Sequence, residues 1–194
     1  MAGGEGRRLG PLSERWPKPM LPIDGRPVVA SLARELAAAG LTQVTVVTGH
    51  LAEQVEQLLG DGSAFGLALS YVRQPVADGS ADAVRRAVAA GARPPLVVTA
   101  ADTLYTAGDV RLFAAAFAAS GAPSAIAAKP DGGWAPLWGL SESVVGILDD
   151  LSGPPFELVE AVERAGEVAR IQIGQTRDLT FPLDLITENF PYLR

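Results

Sequence analysis

The 194-residue chain contains no cysteine, which excludes disulfides, thiolate metal sites and cysteine nucleophiles and agrees with a reducing compartment. It has one histidine, His50, and two lysines, Lys18 and Lys129. No carboxylate or hydroxyl partner of His50 is identifiable from sequence, so a loop or helix-cap role outweighs catalysis. No apolar run reaches membrane-spanning length and the start lacks the long apolar core of a signal peptide, so the expected location is the cytoplasm. A formal net charge of −6 leaves no broad basic surface for a nucleic-acid backbone. Neither membrane nor nucleic acid is an expected partner.

The positive charge that is present is concentrated. Arg7, Arg8, Arg15, Lys18 and Arg26 fall within one short N-terminal stretch, and a local basic pocket on an acidic protein suits a small phosphorylated ligand. With 48% hydrophobic and 20% charged residues, the chain can bury one sizeable core, so residues 1–194 are expected to form a single domain. Glycine and proline make up about a fifth of it, which is loop-rich without being low-complexity.

Periodicity predicts alternating helices and strands. Helices are expected at Pro27–Ala39, His50–Leu59, Ala81–Ala90 with Ser80 as cap, Asp109–Ser120, Ser141–Leu151, Phe156–Ala165 and Pro182–Asn189. Strands are expected at Gln43–Thr48, Leu67–Val72, Pro95–Thr99, Ala125–Ala128, Pro136–Leu140 and Val168–Ile173. This alternation predicts a three-layer α/β/α fold with a mainly parallel central sheet of Rossmann-like type. No repeat or dividing linker is found.

The segment Gly3-Gly4-Glu5-Gly6-Arg7-Arg8-Leu9 runs into Pro17-Lys18-Pro19. Glycines let backbone N–H groups point at phosphate oxygens, and Arg8 and Lys18 bring charge to a triphosphate. The prolines stiffen the presentation of Lys18. Leu9 stands where a dinucleotide fingerprint needs glycine, and the Gly-Lys-Ser/Thr of a Walker A loop is absent. A glycine phosphate loop normally leaves the end of a strand, yet only Met1 and Ala2 precede Gly3. Either the start is shortened relative to the natural gene or another segment supplies that strand. Shortening is favoured, because an absent central strand leaves unpaired backbone in the core.

Asp102 follows the apolar run Leu96-Val97-Val98-Thr99-Ala100-Ala101, at a strand's C-terminal end, where parallel α/β sheets bind ligands and where a magnesium carboxylate belongs. Gln74, after Tyr71-Val72-Arg73, can donate to and accept from a base edge, and Gly79, in Asp78-Gly79-Ser80-Ala81-Asp82-Ala83, permits close stacking.

The segment Ala2 to Pro27 resembles the signature of the sugar-1-phosphate nucleotidylyltransferases, and the similarity extends with decreasing strength over most of the chain. The resemblance implies transfer of a nucleotidyl group from a nucleoside triphosphate to a sugar-1-phosphate, with Mg2+ as cofactor and pyrophosphate as product. It implies catalytic roles for Arg8 and Lys18, nucleotide binding by Ala2, Gly3, Gly4, Gly6, Gln74 and Gly79, and metal ligation by Asp102 and Asp178. It implies substrate contacts from Lys129 and Glu157. The family's small hydroxyl residue is replaced by Arg7, its glycine before the metal aspartate by Ala101, and its glutamate before the lysine by Ala128. Asp131-Gly132-Gly133 leads to Trp134 where relatives carry a longer insert, so part of a hairpin near 131–134 is expected to be missing. Asp184 reads as a helix-start residue. Two other readings stand beside this one: a transferase with a non-sugar acceptor such as molybdenum cofactor, and a non-catalytic regulatory binder of nucleotide or nucleotide sugar. The base, the sugar and the oligomeric state, homo-oligomer included, stay open.

Overall fold

The computed structural model describes residues 1–151 and 157–190. The first elements are α1 (Pro11–Arg15), the two-residue strands β1 (Pro22–Ile23) and β2 (Arg26–Pro27), α2 (Val28–Ala38), β3 (Gln43–Thr48), α3 (Ala52–Leu59), β4 (Ala68–Arg73) and α4 (Ser80–Ala89). Then follow β5 (Leu96–Thr99), β6 (Thr103–Leu104), α5 (Asp109–Ser120), β7 (Ser124–Ala128) and β8 (Trp134–Leu140). The last are α6 (Glu142–Ile147), α7 (Leu158–Arg164), β9 (Val168–Gln172), β10 (Arg177–Asp178) and α8 (Asp184–Asn189). The helix expected from Phe156 begins at Leu158, and Phe156 lies outside the described residues.

The major strands form two sheets, β3-β4 and β5-β8-β7-β9. β3 and β4 are parallel, as are β7 and β9, whereas β8 runs antiparallel to both β5 and β7. Antiparallel β8 departs from simple strand-helix alternation because β7 and β8 are joined by a tight turn, in which Lys129 N donates to Gly133 O at 2.8 Å, too short for a crossover. β8 begins at Trp134, two residues before the sequence expectation.

Met1 and Ala2 stitch the two sheets together. Ala2 bridges Thr48 in parallel and its N–H donates to Val47 O at 2.7 Å. On the other side the Met1 α-ammonium donates to Thr99 O at 2.7 Å, and Ala101 N donates to Met1 O at 2.8 Å. This is the bonding pattern of parallel neighbours, so β3, β4, β5, β7 and β9 all present their carboxyl ends at one edge. Burial lowers the Met1 amine to about 6, with the Asp102 carboxylate pulling it the other way. Beyond Met1 the gap between β3 and β5 opens into a cavity of about 640 Å3, lined by Val29, Leu32 and Leu36 from one side and Ala83, Val84 and Ala87 from the other.

Helices cover both faces. Val29, Leu32 and Leu36 of α2, Val55 and Leu59 of α3 and Val110 of α5 pack with Val46, while Phe113 and Phe117 of α5 cover Ala125, Ala127 and Leu137. The opposite face carries Val84 of α4, Val144 of α6 and Leu158 and Val162 of α7 against Val98 and Leu140. The architecture is therefore a three-layer α/β/α fold. Helix starts differ locally from expectation: Pro27 precedes α2 rather than opening it, and Gly79, not Ser80, caps α4. Among the described residues no helix is long and apolar enough to cross a membrane.

Phe113 is fully buried between α5 and the sheet. Phe113→Ala should lower unfolding free energy by ~3–5 kcal/mol, read as an earlier urea midpoint.

Candidate active site

The glycine loop begins at the stitched end of the sheet. Ala2 and Gly3 are buried, and a Cβ on Gly49 would stand 2.5 Å from Gly3 O, so β3's exit and the loop pass backbone against backbone. Gly6 adopts φ 64° at the entry to the short 3-10 turn Arg7–Leu9, a left-handed conformation that disfavours a side chain. The turn is anchored by Leu9, buried with Leu21, Ile23, Val28 and Leu179. Its polar side faces outward: Arg7 pairs with Glu5 at 2.6 Å, while Arg8 makes no ion pair among the described residues.

Pro17 and Pro19 are buried on either side of Lys18, which opens a second 3-10 turn. Around the start of α3, His50 Nε2 bonds Ser13 O at 2.7 Å, and Gln54 Nε2 donates to Arg15 O at 2.9 Å. The one histidine therefore tethers this loop. The result is that Lys18 Nζ lies 2.6 Å from Asp102 Oδ2, with both side chains largely buried. Lys18, Asp102, Arg8, Gly4, Gly6, Ala2 and Thr180 line one cleft of about 250 Å3 at the carboxyl edge. The glycine loop, two cationic side chains and a strand-end carboxylate thus share one concavity.

Asp178 reaches the same side by another route. In β10 it lies opposite Thr103 of β6, the neighbour of Asp102, and its Oδ1 accepts from the Thr180 hydroxyl at 2.9 Å. Arg177 holds this strand down: Nη1 pairs with Asp24 at 2.5 Å, and Nε with Glu188 at 2.8 Å. Asp184 Oδ2 accepts from Thr180 N and Phe181 N, both at 2.7 Å, closing the turn between β10 and α8.

Gln74 leaves the end of β4 and is buried. Its Nε2 donates to Gly79 O at 3.0 Å and to Asp82 Oδ2 at 2.9 Å, while Oε1 faces Gly3, where an added Cβ would lie 2.6 Å away. Asp82 also accepts from Arg86 at 2.7 Å and Arg85 at 3.1 Å. Burial works to raise its pKa, but the bonds from Arg86, Gln74 and Arg85 prevail and lower it.

The cleft lining does not include Gly3, Gln74, Gly79, Asp178, Lys129 or Glu157. Lys129 turns onto Asp131, 3.5 Å away within the hairpin turn. Glu157 accepts from the Ser80 hydroxyl at 2.6 Å, and Ser80 Oγ in turn accepts from Leu158 N at 2.8 Å, fastening α7 to the start of α4. Sequence reasoning did not single out Asp82, Arg177 or Thr180. Asp82 had a legible signal in its Arg85 and Arg86 at helical spacing, whereas Arg177 and Asp24 are 153 positions apart and carried no local sign.

A family model described as Nucleotidyl transferase matches residues 1–132. The chain belongs to the nucleotidyl transferase family. It is 33% identical over 129 residues to the N-acetylmuramate α-1-phosphate uridylyltransferase of Neisseria meningitidis, covering 66% of this chain and 54% of that relative. To the mannose-1-phosphate guanylyltransferase of Mycobacterium tuberculosis it is 43% identical over 74 residues, 38% of this chain and 21% of the relative. The chain thus spans between about a fifth and a half of the length of these curated relatives. In structure it is similar to a putative glucose-1-phosphate thymidylyltransferase from Bacillus anthracis, with TM-score 0.87 and 19% identity over 97% of this chain and 91% of that one. That likeness shows the shared fold of this nucleotidyl transferase domain.

Because the folded-state pKa of Asp82 lies below its ordinary 3.8, its ionised form contributes stability above about pH 4 that is lost as pH falls through the folded value. Urea midpoints at pH 5 and pH 3 should therefore differ more for the wild type than for Asp82→Asn.

Proposed function

We propose that the chain transfers a nucleotidyl group from a nucleoside triphosphate to a sugar-1-phosphate, giving a nucleotide sugar and pyrophosphate. The observation that carries this reading is the Lys18–Asp102 contact of 2.6 Å inside the cleft of the glycine loop. Membership of the family and relatives named as uridylyl- and guanylyltransferases of sugar phosphates support it.

In this reaction a phosphate oxygen of the sugar-1-phosphate attacks the α-phosphorus, the bond to the bridging oxygen of the β-phosphate breaks, and pyrophosphate leaves. The attacking phosphate is already ionised, so no side-chain nucleophile is needed. Positioning and charge neutralisation carry the rate, and effective molarity alone can contribute roughly 7–11 kcal/mol. Backbone N–H groups from Gly3 to Gly6 bind phosphate oxygens, and Arg8, exposed in the cleft lining, meets the leaving pyrophosphate. Lys18 is held by Asp102 until a triphosphate enters, then exchanges that carboxylate for phosphate oxygens. The pair thus keeps both charges compensated in a low-dielectric cleft while it is empty of substrate.

The donor set fits magnesium: Asp178 pairs in the β-ladder with Thr103, the residue after Asp102, both groups are hard carboxylates, and among the described residues they belong to no cluster of three or more acidic or histidine side chains, which suits an ion sharing its shell with phosphates and water. Held there, Mg2+ would supply neutralisation of the triphosphate oxygens. Gln74 and Gly79 would receive the base beside Gly3, while Lys129 and Glu157 stand as candidates for the sugar side. Soluble cytoplasmic operation completes the reading.

Asp102→Ala should lower pyrophosphate release by roughly a hundredfold or more while circular dichroism is unchanged. Near-normal release from this variant, measured by a coupled pyrophosphate assay, would overturn the assignment.

A further inference from the structure

One further inference comes from Gln74 and rests on the proposed function. Its two amide hydrogens are both taken, by Gly79 O and by the Asp82 carboxylate. These partners only accept, so the amide has one allowed orientation. We infer that Asp82 is a positioning residue that locks Gln74 as a hydrogen-bond acceptor, so that the base is read through one of its N–H donors at Oε1. Arg85 and Arg86 hold Asp82 in that role from within α4.

Asp82→Asn gives the amide a partner that can donate or accept, leaving Gly79 O alone to fix the orientation of Gln74. Asp82→Glu keeps an acceptor-only carboxylate at the same helical position. Titration calorimetry with UTP, dTTP, GTP, CTP and ATP reads the spread between the best and worst dissociation constants. The wild type should spread by tenfold or more, Asp82→Asn should narrow this at least threefold, and Asp82→Glu should keep it. An unchanged spread in Asp82→Asn, or an equal narrowing in Asp82→Glu, overturns the lock. Absence of binding by the wild type to all five triphosphates overturns the functional reading itself, and the lock with it.

Discussion

Two residues hold the molecule's halves in alignment. Met1 and Ala2 are the sole described backbone between β3 and β5, bonded to Val47 on one side and to Thr99 and Ala101 on the other. Their parallel register sends the exits of β3, β4 and β5 to the same edge, and every candidate nucleotide-site residue depends on that alignment. Gly3 continues directly from Ala2, Gln74 follows β4, and Asp102 follows β5 by three residues. Were either sheet to slide by one residue, alternate side chains would exchange faces and Asp102 would leave Lys18.

Around this seam, rigidity and openness are divided between neighbouring atoms. Leu9, Pro17 and Pro19 are buried and His50 and Gln54 tie the loop to α3, so the backbone that presents Arg8 and Lys18 is restrained from several directions. The charges it carries face a cleft of about 250 Å3. Preorganisation of this kind matters most for a reaction whose barrier is electrostatic, because donors already in place need no reorganisation as charge develops.

The charged networks outside the cleft have a structural logic of their own. Arg177 joins β10 to Asp24 beside the β1–β2 turn and to Glu188 of α8, including a bond to the Glu188 carbonyl, and thereby fixes the strand that carries Asp178. Asp82 does the equivalent for Gln74 on the other side of the glycine loop. Each supports a functional candidate from behind, and supporting side chains of this kind decide geometry to within fractions of an ångström.

Much of this was legible in the order of residues. The period of apolar positions marked α2, β3, α5 and β9, because burial of one face imposes that period locally. The glycine loop with Arg8 and Lys18 was legible because backbone freedom and charge are properties of residue type. Asp102 was legible from its place after an apolar strand. What tertiary structure alone decided was adjacency: that Lys18 meets Asp102, that Asp178 comes back beside Thr103, that Ser80 serves Glu157 and Leu158 instead of capping its own helix, and that β8 runs against its neighbours. The first three of these contacts join residues tens of positions apart, and a chain records only its own near-neighbour preferences. Which distant groups meet is set by how helices of given length and apolar face close over two sheets, and that is a property of the packed whole.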